Sequence, residues 1–196
     1  MGEEKKPNTD DLEKGAGQKV DMKKEILSWV FYIAFVLVLT WVIITFVGQR
    51  TRVDGRSMMN TLHDGDNLIV EKLSYRFSDP KRFDIIVFPP TGKKEYYIKR
   101  IIGLPGETVQ IDENGNIYIN GELLEENYGA ETIQNPGRAA NPITLGDDEY
   151  FVMGDNRNNS KDSRSEEVGN VKRSQIIGRA WLRIWPLNKF GLLKHQ

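Results

Sequence analysis

The chain has 196 residues, 27 basic and 28 acidic side chains, two histidines and no cysteine, and 39% of it is apolar. The even charge argues against a nucleic-acid binder, which would carry a basic excess, and the lack of cysteine removes disulfides, thiolate nucleophiles and cysteine metal sites together. With His63 and His195 as the only imidazoles, a zinc site would need distant carboxylates to complete it, and no metal is expected.

Residues 1–25 are dominated by Glu, Lys, Asp and Gly and read as a flexible tail. Residues 26–47 (ILSWVFYIAFVLVLTWVIITFV) then place 19 apolar side chains in 22 positions. As a helix they would run ~33 Å, enough to cross a bilayer. A cleavable signal peptide would have a shorter apolar stretch and a small-x-small site after it, whereas VGQRTR follows here. A buried soluble helix would rarely be apolar on every face for six turns. The segment is read as a single transmembrane anchor, and no second stretch could span, which excludes a multi-span transporter. Its orientation is open on charge, since Lys19, Lys23 and Lys24 before it balance Arg50, Arg52 and Arg56 after it.

From about residue 50 the chain alternates short β-branched or aromatic runs with turn residues: NLIVEK, FDIIVF, EYYIKRII, ETVQI, NIYING, EYFVMG and IIGRAWLRIW. Asn114-Gly115, between two alternating runs, predicts a two-residue type I′ hairpin turn. Residues 121–148 are polar and turn-rich and read as an insertion between two halves of a core. The predicted class is mostly β: a single N-terminal transmembrane helix, then an antiparallel β domain over 48–196 with a small inserted lobe at about 106–148.

Three stretches could carry chemistry. In YYIKRIIGLPGE (96–107), a strand would put Lys99 on one face with Tyr97 and Ile101, and Arg100 on the other. Such a lysine either snorkels to water or is desolvated, its pKa falling from ~10.4 towards neutrality. In VDGRSMMNTLHDGD (53–66), Gly55 leads tightly into Ser57, and a serine needs a neighbouring base to become a nucleophile. His63 is near in sequence, but no carboxylate beside it marks a triad, and Ser-Lys chemistry is what a histidine-poor chain leaves open. In VMGDNRNNSKDSR (152–164), Asp155 with Arg157, Ser160 with Lys161, and Asp162 with Arg164 form adjacent pairs after an apolar strand. Packed against a core, the Asp-Arg pairs would fix loop geometry.

In this order, behind one anchor, these stretches resemble the bacterial type I signal peptidases, membrane-bound Ser-Lys endopeptidases, over about residues 26–190. The resemblance rests on Ser57, Met58, Thr61 and Leu62 against Ser-Met-x-Pro-Thr-Leu, on Lys99 to Glu107 against the lysine box, and on Gly154 to Arg164 against Gly-Asp-Asn-Arg-x-x-Ser-x-Asp-Ser-Arg. It implies Ser57 as nucleophile and Lys99 as general base, with Ser160 orienting the Lys99 amine. Asp162 and Arg164 would form an ion pair holding the site, with Asp155 and Arg157 in support. It further implies a barrel-like β core, no metal or organic cofactor, and exported preproteins with Ala-x-Ala-like sites as substrates. The enzyme would sit in the cell membrane beside lipid, N-terminus cytoplasmic and catalytic domain outside. Met58, Leu62 and Tyr97 are expected to wall the substrate pockets. Two departures stand out: Asn60 replaces the family proline, and Gly55 sits where some members use a serine hydroxyl as an oxyanion donor, leaving the Ser57 backbone N–H. Other readings are a soluble Ser-Lys self-cleaving repressor domain, against which the anchor counts, and a tethered β domain that only binds partners.

Overall fold

The computed structural model describes residues 22–42, 48–93 and 95–193. The chain forms two units, one ending at Trp41 and the other beginning at Val42. In the first, a single helix, α1 (Met22–Val42), has its apolar side chains exposed all round. Its 21 residues make it long and apolar enough to cross a membrane. The helix starts at Met22, so residues 22–25 belong to it rather than to the tail. Glu25 in its first turn complements the positive end of the helix dipole, which polar composition alone conceals. Residues 43–47, the remaining tail and His195 lie outside the described residues.

The second unit contains β1 (Gly48–Arg52), β2 (Asn67–Glu71), β3 (Ile85–Phe88), β4 (Tyr97–Gly103), β5 (Thr108–Ile111) and β6 (Ile117–Ile119). These are followed by β7 (Glu122–Leu123), β8 (Ile143–Thr144), β9 (Glu149–Met153), β10 (Val171–Lys172), β11 (Gly178–Trp185) and β12 (Gly191–Leu192). One sheet of eight strands follows the order β1-β2-β11-β3-β4-β9-β10, with β12 beside β11, and all its pairings are antiparallel. Register shifts where β11 meets β2 and where β4 meets β9 mark bulges that bend and curl the sheet. The barrel-like core is thus a curled sheet left open between β1 and β10. A second sheet, β7-β6-β5-β8, is inserted where the chain leaves β4 and before it returns as β9.

Alternation in the sequence explains which residues fill which core. Along β3, Ile85 and Val87 pack with Met58, Leu62, Leu68 and Ile98, while Ile86 and Phe88 face the opposite way onto Ile101, Tyr150 and Val152. A third cluster joins Ile102, Phe151 and Met153 to Val109, Ile111, Ile117 and Ile119, fastening the inserted sheet to the main one. The hairpin between β5 and β6 departs from the predicted type I′ turn. Gly115 is left-handed (φ +82°) but Asn114 is not, and Gly115 N–H donates to Asp112 O at 3.0 Å. The connection is a longer loop, and Asp112 organises it by accepting from the N–H groups of Asn114 and Asn116.

Candidate active site

Ser57 stands in the turn that follows β1. Gly55 (φ +98°) bends the chain just before it, in a backbone region open to glycine at little cost. After it, Thr61 N–H and Leu62 N–H both donate to Met58 O, winding the segment into a tight turn. Met58 and Leu62 anchor that turn by inserting into the core beneath. Asn156 clamps it from the opposite loop, its N–H donating to Ser57 O at 3.0 Å and its side-chain amide to Arg56 O at 3.1 Å. No described residue accepts a hydrogen bond from Ser57 N–H, which leaves that donor free.

Lys99 arrives from β4, two strands away in the sheet order from β11. It is 4% exposed, and its Nζ lies 2.7 Å from Ser57 Oγ and 3.1 Å from Ile98 O. The Tyr97 ring, on the same strand face, covers the amine at 5.2 Å from its centroid. Burial lowers the Lys99 pKa to about 8, against the opposing pull of Asp162 and Asp155. Of the two fates open to this lysine in the sequence, the structure takes desolvation.

The loop after β9 closes the site from behind. Asp162 and Arg164 form a bidentate pair at 2.9 Å for both contacts, and Asp162 also accepts Gly154 N–H at 3.0 Å. Gly154 is needed there because a Cβ would fall 2.4 Å from Ser57 O and 2.3 Å from Ser160 Oγ. The expected pairing of Asp155 with Arg157 is replaced by two others. Asp155 takes Arg100 in a fully buried fork (2.9 and 2.7 Å), while Arg157 pairs with Glu126 at 2.5 Å. The cause lies in β4. Arg100 points to the side opposite Lys99, stacks 3.7 Å over the Tyr128 ring and reaches Asp155 beyond the end of β9, where its fork meets both carboxylate oxygens. Lys161 likewise turns to Glu167 rather than to Ser160.

Ser160 is at the site but differs from its expected role. Its hydroxyl is buried without a hydrogen-bond partner among the described residues, and Lys99 Nζ bonds Ser57 Oγ and Ile98 O instead. A cleft of about 780 Å³ opens over Ser57 and Lys99, walled by residues 49–58, 95–99 and 158–161. Met58 and Tyr97 line it, whereas Leu62 is 0% exposed and belongs to the core, beneath the cleft rather than in its wall. His63 does not line it either. Asn60, where the related motif has proline, has φ +90°, a conformation proline's ring forbids, so this turn is wound differently from one built on proline. The stretch before Ser57 was expected to face the substrate, but its strand character was not, since the GQRTR of β1 has no apolar residue to signal one, and the role of Arg100 was missed. The adjacency of Arg100 to Lys99 was the available signal.

The profile of the family described as signal peptidase, peptidase S26, matches residues 26–185. The chain is 45% identical over 155 residues to a probable signal peptidase I-2 of Synechocystis, spanning 76% of this chain and 68% of that one. It is 44% identical to a signal peptidase I of Leptolyngbya laminosa, covering 95% of this chain and 93% of that one. With a signal peptidase I of Bacillus amyloliquefaciens the identity is 38%, over 92% of this chain and 100% of the relative. On a match that spans most of its length, this chain belongs to the signal peptidase family, peptidase S26, and is a serine peptidase, a hydrolase.

Proposed function

We propose that this chain removes signal peptides from exported preproteins, with Ser57 as nucleophile and Lys99 as general base. The observation that carries the reading is the pairing of a buried amine, its pKa lowered to about 8, with a serine hydroxyl at 2.7 Å inside an open cleft. The neutral amine takes the Ser57 proton as Oγ attacks the scissile carbonyl, and the Ser57 N–H faces the developing oxyanion. The protonated amine returns its proton to the leaving amine, giving an acyl-enzyme. Lys99 then deprotonates a water that attacks the ester, releasing the signal peptide and restoring Ser57. The Asp162–Arg164 pair holds Gly154 against Ser57. Asp155 with Arg100, and Arg157 with Glu126, hold the loop behind it, and Ser160 contributes to the cleft wall with its hydroxyl buried.

The substrate lies extended between residues 96–99 and the stretch before Ser57. β9 pairs β4 only from Arg100 onward, so residues 96–99 have a free edge for a peptide to join as a strand. Small residues at −1 and −3, as in Ala-x-Ala, fit the shallow walls formed by Met58 and Tyr97. The anchor, residues 26–47 in the sequence, keeps the enzyme in the cell membrane with its N-terminus cytoplasmic and residues 48–196 outside. Confining enzyme and preprotein to one surface raises their effective concentration. Detergent-solubilised protein incubated with an Ala-x-Ala preprotein should yield a shortened product, lost in both Ser57→Ala and Lys99→Met. Cleavage retained by either variant refutes the dyad. Protease protection in sealed vesicles checks the sidedness.

A further inference from the structure

The cleft carries a charge that the chain as a whole does not. Against a net charge of −1 for the whole sequence, its walls hold Arg50, Arg52, Arg56, Lys99 and Lys161 but only Asp54 and Glu95 in opposition. The five cations are not equivalent. Arg50 donates from Nε and Nη2 to Asn67 Oδ1, at 3.1 and 2.8 Å, and Lys161 shares Glu167 with Lys93. Lys99 is the amine that must be neutral to act. Arg52 and Arg56 remain: both are exposed, both line the cleft, and the guanidinium of neither has a carboxylate or hydrogen-bond partner among the described residues. Arg56 immediately precedes the nucleophile, and Arg52 ends the strand that forms the same wall. Guanidinium groups held on one wall of a cleft focus positive potential onto whatever lies in it.

We infer that Arg52 and Arg56 are specificity-determining residues that favour preproteins with an acidic side chain within a residue or two of the cleavage point. The inference rests on the proposed function and names the charge class of substrate for that same cleft. The contact is with a side chain that takes no part in the bond changes and is made equally in the ground and transition states. It therefore lowers KM and leaves kcat unchanged.

The test uses the full-length protein in detergent and peptides with an Ala-x-Ala site in which −2, +1 or +2 is Glu, Gln or Lys. At low salt, Glu at the responsive position should raise kcat/KM over Lys by about tenfold through KM, and the ratio should fall towards one in 1 M salt, where the screening length is only about 3 Å. The double variant Arg52→Glu/Arg56→Glu should invert the order, favouring Lys, an outcome that general damage cannot produce. Equal rates for Glu, Gln and Lys at every position, with the Gln peptides cleaved, overturn the inference and leave the proposed function standing. Failure to cleave any Gln peptide takes both down. A third arm adds phosphatidylcholine vesicles with or without phosphatidylglycerol. If the arginine variants change only the response to the anionic lipid and not the peptide order, the arginines serve headgroups and the inference is wrong.

Discussion

The reaction's dependence on pH should follow the protonation of Lys99. Burial lowers that amine from 10.5 to about 8, even though Asp162 and Asp155 pull the other way. In the proposed dyad only the neutral amine accepts the Ser57 proton, so activity should rise with pH. With a pKa of about 8, roughly a tenth of the enzyme is competent at pH 7 and roughly nine-tenths at pH 9. kcat/KM against a neutral peptide should therefore rise about tenfold across that interval, level off above it and fall about tenfold per unit on the acid side. An ordinary solvated lysine would instead give roughly a hundredfold rise between pH 7 and 9 with no plateau. The same shift is a statement about stability. Because the folded value lies below the unfolded one, the fold carries a penalty of about 3 kcal/mol below pH 8, which fades between about 8 and 10.5 and vanishes above. Lys99→Met, similar in volume and uncharged, should then be more stable than the parent at pH 7 in urea unfolding, with the gap closing as pH approaches 10.5. A kcat/KM profile flat from pH 6 to 9, or a stability gap that ignores pH, would refute the reasoning.

Two substitutions probe what holds the dyad. Arg100→Ala strands Asp155 in a site where both partners are 0% exposed, and should cost about 3–5 kcal/mol in urea unfolding. The pair Arg100→Met/Asp155→Leu should recover most of that, and a single-variant loss below about 1 kcal/mol would mean that the fork does not anchor the loop. Gly154→Ala puts a methyl 2.4 Å from Ser57 O, a backbone atom that can yield only by moving the nucleophile. Its kcat should fall on the order of a hundredfold, since a misplacement of about 1 Å costs that much, while the melting curve stays cooperative. An unchanged kcat would contradict the close approach.

The strands legible in the sequence are the continuous β-branched and aromatic runs, such as β3 and β9, which are buried on both faces and feed the cores on either side. β1 was not legible because it lies at the sheet edge with polar side chains over a cleft, so its strand character comes from its ladder with β2 alone. Ser57 and Lys99 were readable as residue types in recognisable boxes. Their contact spans 42 positions and becomes visible only through the turn after β1 and the placement of β4. Neighbouring opposite charges misled: Asp155 and Arg157 sit two apart, yet tertiary packing gives Asp155 to Arg100, 55 positions away. Asn114-Gly115 misled similarly, because the side chain of Asp112 supplies acceptors that stabilise a longer loop over the two-residue turn. The start of α1 was missed because residues 22–25 are mostly charged and join the helix through its backbone rather than an apolar face.

The central claim is that the hydroxyl at position 57 becomes covalently joined to the substrate's carbonyl carbon, driven by the amine at position 99. Rapid acid quenching of enzyme mixed with excess Ala-x-Ala peptide, followed by digestion and mass spectrometry, reads that bond directly. The fragment containing Ser57 should gain the mass of the acyl portion, and the adduct should be absent from Ser57→Ala and from Lys99→Met. An adduct on any other residue, or a Lys99→Met enzyme that acylates at the parental rate, would contradict the account.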